Sequence, residues 1–130
     1  MAEKAASRVL IVEDDPNISE LLSVLLRKER SVSHAPDGIE CMKQIRAFDP
    51  DVIILDLMLP KMNGFEVIRE IAARAPGKLE RVIVLTAASE GTLSHFHEPR
   101  IYGLIKKPFD INHLKRIVDE CCAKPHHAGH

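Results

Sequence analysis

Val52-Ile53-Ile54-Leu55-Asp56, continuing as Leu57-Met58-Leu59-Pro60, is an apolar run that stops at a carboxylate and soon after at a proline. A strand covered on both faces loses the in-out alternation of a half-exposed strand and becomes such a continuous run. This segment is therefore expected inside a parallel sheet, with Asp56 at its C-terminal tip. Two other runs share the design: Val9 to Val12 meets Glu13-Asp14-Asp15-Pro16, and Val82 to Leu85 ends in Thr86. Weaker strand candidates are Ser31 to Ala35 and Ile101 to Ile105, the second leading into Lys106-Lys107-Pro108.

Helical spacing fills the intervals. Ile18, Leu21, Leu22, Leu25 and Leu26 form one stripe behind Pro16 and Asn17. Ile39, Met42 and Ile45 follow the turn Pro36-Asp37-Gly38. Phe65, Ile68 and Ile71 follow Asn63-Gly64, with Pro76-Gly77 as a loop beyond them, and Ile111, Leu114, Ile117, Val118 and Cys121 form the last stripe. Between Ala88 and Arg100, Gly91 and Pro99 limit the fourth helix, which is expected to be short or mobile. Alternating strands and helices imply βαβ units, right-handed crossovers and an open α/β domain with five helices on both faces of the sheet. One domain is expected over residues 8–123, between tails at 1–7 and 124–130.

Composition narrows the function. In 130 residues, 45% hydrophobic and 28% charged, one core is expected to fold unaided. With 18 basic and 19 acidic residues the net charge is -1, which offers no field for nucleic acid or an anionic membrane. Cys41, Cys121 and Cys122 lack paired zinc-ligand spacing, and packing is the expected role for all three. Their odd number, with no N-terminal apolar segment, fits a reducing cytoplasm. His126, His127 and His130 are assigned no role.

The chemistry gathers at strand ends. In open α/β sheets, ligands bind outside the carboxyl ends of the strands, where Glu13, Asp14, Asp56, Thr86 and Lys107 all fall. Converging carboxylates repel one another until a hard divalent cation with oxygen ligands neutralises them, which points to Mg²⁺. A carboxylate there can act as a nucleophile towards phosphorus, with an ammonium offsetting charge on the transferring oxygens, the roles of Asp56 and Lys107. The Thr86 hydroxyl can donate to an arriving phosphoryl oxygen. Considered singly, each residue has a plainer reading: a solvated acid, a strand-end hydroxyl, a surface cation. Glu13-Asp14-Asp15 could also serve a helix N-terminus, and Asp15 is expected to do only that.

With these residues placed, the chain resembles the response-regulator receiver family, through Val-Glu-Asp-Asp-Pro at 12–16, Asp-Leu-Met-Leu-Pro-Lys-Met-Asn-Gly at 56–64, Thr86-Ala87 and Lys107-Pro108-Phe109. The match covers nearly the whole chain. The resemblance implies a flavodoxin-like, doubly wound five-stranded parallel sheet of order 2-1-3-4-5. It implies that Asp56 accepts a phosphoryl group from a sensor histidine kinase or histidine phosphotransfer protein, in a two-component or phosphorelay system. Glu13, Asp14, Asp56 and the Met58 carbonyl match the family's Mg²⁺ ligands. Thr86, with Ala87 beside it, matches the switch hydroxyl, Lys107 the phosphate-pairing lysine, and Lys107-Pro108 a frequent cis peptide. Such a domain is a signalling module that assists its own phosphorylation and dephosphorylation, rather than an enzyme. It acts through a downstream effector, and a phosphorylation-dependent homodimer stays open.

Three departures qualify the match. The fourth-helix region is unusual, and Leu104 stands where the family often has an aromatic switch residue. Tyr102, expected on the same strand face as Leu104, is the candidate substitute. Met58 and Ala88 flank the phosphoryl position without polar donors, so slow autodephosphorylation is expected. Two other functions are weighed: a phosphorylation-independent protein-binding module built on the fourth-helix region, and an aspartyl-phosphate hydrolase. The hydrolase ranks last because Met58 occupies the place of its usual second carboxylate.

Overall fold

The computed structural model describes residues 7–125. Residues 1–6 and 126–130, with most of both expected tails and all three terminal histidines, lie outside the described residues. Strands β1 (Arg8–Val12), β2 (Ser31–Ala35), β3 (Val52–Leu55), β4 (Val82–Thr86) and β5 (Gly103–Lys106) alternate with helices α1 (Pro16–Leu26), α2 (Gly38–Phe48), α3 (Gly64–Arg74), α4 (Glu90–Leu93) and α5 (Ile111–Ala123). All strand pairs are parallel and their order is β2-β1-β3-β4-β5, as the resemblance implied.

Alternation along the strands divides the core. Leu10, Val12, Ile53, Leu55, Val82 and Val84 pack towards Cys41, Ile45, Val67, Ile68 and Ile71 of α2 and α3. Val9, Ile11, Val52, Ile54, Ile83 and Leu85 pack towards Leu22, Leu26, Leu114, Val118 and Cys121 of α1 and α5. Each such aliphatic side chain, fully withdrawn from water, contributes about 1.5–3 kcal/mol. Apolar demand on both faces is why Val9–Val12, Val52–Leu55 and Val82–Leu85 are uninterrupted hydrophobic runs.

The loops at the carboxyl ends of the strands double as helix starts. Asp15, Asp37, Asn63, Ser89 and Asp110 are the N-caps of the five helices, each accepting a backbone N–H of the first turn. Asn63 and Glu66 form a reciprocal capping box. Gly64 is required by close packing: a Cβ there would lie 2.5 Å from the Asp56 carbonyl oxygen. At the opposite end of the sheet, buried Arg81 donates to the carbonyls of Cys121 and Lys124, both at 2.7 Å, satisfying the C-terminal end of α5.

Two local expectations change. The Pro76-Gly77 loop is a 3-10 helix, Pro76–Arg81, anchored by buried Leu79. The fifth strand begins at Gly103, because the chain is still turning through Glu98–Ile101 and only the Tyr102 N–H, bonded to the Val82 carbonyl, reaches the sheet before it. The fourth helix is short, as expected, at four residues.

Candidate functional site

β1 and β3 are neighbours, and the topology reverses between them, so their carboxyl ends border the crevice of a doubly wound sheet. Glu13 and Asp14 extend from β1 and Asp56 from β3. One carboxylate oxygen from each lies within 4.8 Å of the other two. Glu13 and Asp56 are buried, 3% and 5% exposed, whereas Asp14 is exposed.

Lys107, one residue past β5, reaches into this group. Its Nζ donates to Oε1 of Glu13 at 2.7 Å and to Oδ2 of Asp56 at 3.0 Å. The remaining oxygens are also engaged: Asp15 N–H donates to Glu13 Oε2 at 3.1 Å and Met58 N–H to Asp56 Oδ1 at 3.0 Å. Burial pushes the Glu13 carboxyl above the ordinary carboxylate range, against the opposing pull of the Lys107 and Asp15 donors. Burial likewise disfavours the Lys107 charge, but its bonds to Glu13 and Asp56 outweigh that and raise its pKa. One ammonium thus faces three carboxylates, and the surplus is negative. Three oxygen donors with no nitrogen or sulfur among them are a donor set that fits Mg²⁺.

The other residues take distinct positions. Thr86 is fully buried at the end of β4, and its Oγ1 accepts the Ala88 N–H at 3.2 Å. Ala87 is exposed beside it. The Met58 side chain is 55% exposed, while Ala88 is buried. The Lys107–Pro108 peptide is cis. Asp15 sits outside the carboxylate group and caps α1 through Asn17 N–H at 2.9 Å.

Leu104 and Tyr102 are not on one face. Leu104, 39% exposed, pairs with Val84, whereas Tyr102 joins the α1 and α5 side of the core. Lys124 Nζ lies 5.8 Å from the centre of the Tyr102 ring. The alternation behind the sequence expectation fails because Tyr102 precedes the strand, and its ring packs at the far end of α5. It is not placed to stand in for Leu104.

Sequence reasoning also missed His34, whose Nε2 lies 2.8 Å from the Glu13 carbonyl oxygen. The parallel register that sets Ile11 beside His34 and Val12 beside Ala35 brings it there. Spacing along the chain carries no sign of that pairing.

The fold and the crevice define a class: doubly wound α/β proteins with an acidic group and a lysine at the β1/β3 switch point. A family model described as the response regulator receiver domain matches residues 9–119, and the chain belongs to this family. The DNA-binding response regulator MtrA of Mycolicibacterium smegmatis is 37% identical over 84 residues, which span 64% of this chain and 36% of that protein. Hybrid signal transduction histidine kinase D of Dictyostelium discoideum is 32% identical over 113 residues, 85% of this chain and 7% of the kinase. The chain therefore spans well under half the length of these curated relatives. Among solved structures, the receiver domain of sensor histidine kinase PA1611 from Pseudomonas aeruginosa, which has a magnesium ion coordinated in its active site cleft, superposes with a TM-score of 0.81 at 27% identity, covering 92% of this chain and 100% of that one. Receiver domains are signalling modules, and no described helix is long and apolar enough to cross a membrane.

Proposed function

We propose that this chain accepts a phosphoryl group on Asp56 from a phosphohistidine of a sensor kinase or phosphotransfer protein, and that the modification switches its binding to a downstream effector. The observation that carries this reading is the buried Asp56 carboxylate, held between the Glu13 and Asp14 acids and the Lys107 ammonium. An isolated acid would be solvated; this one is positioned.

In the reaction an Asp56 oxygen forms a bond to phosphorus as the donor's P–N bond breaks, and the imidazole leaves with the electron pair. The backbone N–H of Met58 fixes the carboxylate's rotation through Oδ1. Lys107 exchanges part of its bond to Asp56 for the incoming phosphoryl oxygens. Glu13, Asp14 and Asp56, with the Met58 carbonyl, are the residues that would hold Mg²⁺, which when bound neutralises charge on the transferring oxygens. Thr86 then turns its hydroxyl from the Ala88 N–H to the phosphoryl group, which frees the start of the β4–α4 loop.

Borohydride reduction of the acyl phosphate followed by peptide mapping tests the assignment. The modified peptide should contain Asp56; modification confined to another residue would refute it.

A further inference from the structure

Because α4 ends at Leu93, the next stretch crosses α3 as an irregular segment and leaves a groove of about 570 Å³ between them. Its floor is apolar. Phe96 meets Phe65 edge-on, with ring centroids 5.8 Å apart, above buried Ile68. Its rim carries Arg69, His95 and His97, all exposed, and Arg69 has no ion pair among the described residues. The one carboxylate in the lining, Glu98, is already neutralised by Arg100, which donates to both of its oxygens at 2.9 and 3.0 Å.

We propose that this groove docks a short acidic segment of a partner protein carrying at least two large apolar side chains, and does so without phosphorylation. The volume falls in the range of sites that enclose a compact ligand, here the apolar side chains of one peptide turn. Charge selects the rest of the segment: Arg69 offers a cation without a carboxylate partner, the two imidazoles add ring nitrogens for hydrogen bonds, and the one acid of the lining is already bonded to Arg100. A nucleic acid fits less well, because the chain's net charge of -1 gives a polyanion no general attraction. The groove involves neither Asp56 nor Lys107, so it stands apart from the phosphoacceptor reading.

The probe is a phage-displayed library of random 16-residue peptides, selected on the full chain without phosphoryl donor. Enriched sequences should be acidic with paired large apolar residues, and their amide shift changes should fall on residues 65–73 and 95–98. Arg69→Glu, an exposed substitution that leaves the core intact, should weaken the synthetic peptides about tenfold or more, and Asp56→Asn less than about twofold. No enrichment, enrichment of basic or neutral sequences, indifference to Arg69→Glu, or shift changes induced at this groove by a single-stranded oligonucleotide instead would each overturn the proposal. No step requires phosphorylation, so failure here is distinguishable from failure at Asp56.

Discussion

Lys107 Nζ stands 2.7 Å from Glu13 Oε1, closing a bond between residues 94 positions apart in the chain. With its second bond to Asp56, this ammonium is the internal counter-charge of a buried acidic pair. Removing it leaves two carboxylates unpaired in a site that is still open to water through Asp14. Lys107→Met should therefore lose about 1–3 kcal/mol in metal-free buffer, read from the urea midpoint. Magnesium should raise the midpoint of both proteins, and more in the variant, because a bound cation replaces the missing charge. Equal metal-free midpoints would show that the ion pair is not structural.

Thr86 links the site to the following loop through one bond, from Ala88 N–H to its hydroxyl oxygen. Thr86→Ala should cost about 1 kcal/mol by orphaning that N–H, whereas Thr86→Ser should retain most of it. Phosphorylation should shift the amide resonances of residues 87–93 in wild type and Thr86→Ser but not in Thr86→Ala. Identical shifts in all three would remove Thr86 from the switch.

The cysteines give a prediction in alkali. Burial pushes the Cys41 thiol up to about 12 and Cys121 up to about 11, from an ordinary value of 9.0. Above pH 9 the unfolded chain releases these protons and the folded chain keeps them, so stability falls as pH rises through the folded values. Lys107, whose pKa is also raised, adds loss in the same direction. Urea midpoints should decline steadily from pH 9 to 11. At pH 8, iodoacetamide should label the half-buried Cys122 well before Cys41 or Cys121, as peptide mass mapping would show.

Met58 and Ala88, which the family resemblance sets beside the phosphoryl position, carry no polar side-chain donor, and Met58 is 55% exposed. An attacking water is left without a side chain to orient it, so the phosphoryl group should persist for minutes or longer. Met58→Asn should shorten its lifetime several-fold. A wild-type lifetime of seconds would contradict this account.

Much of this was legible in the chain because two-sided burial leaves so plain a mark. Val9–Val12, Val52–Leu55 and Val82–Leu85 are apolar throughout, and each stops at a residue of the crevice. The N-caps were legible in part, since Asn63-Gly64 announces α3 and Pro16 announces α1. What failed depended on distant pairing. Tyr102 shares a strand face with Leu104 only if the strand begins at Ile101, and it begins two residues later, at Gly103; His34 reaches Glu13 only through the β1–β2 register. Buried Arg81 looks like any surface cation until α5 is folded over it.

Asp56, with Glu13, Asp14 and a bound cation beside it, is the proposed phosphoacceptor. Intact-mass spectrometry after incubation with acetyl phosphate tests it most directly, on wild type and Asp56→Asn, each with Mg²⁺ and with a chelator. A phosphoryl adduct on wild type with Mg²⁺, and in none of the other three samples, is the predicted result. No adduct on folded, magnesium-loaded wild type, or an equal adduct on Asp56→Asn, would contradict it.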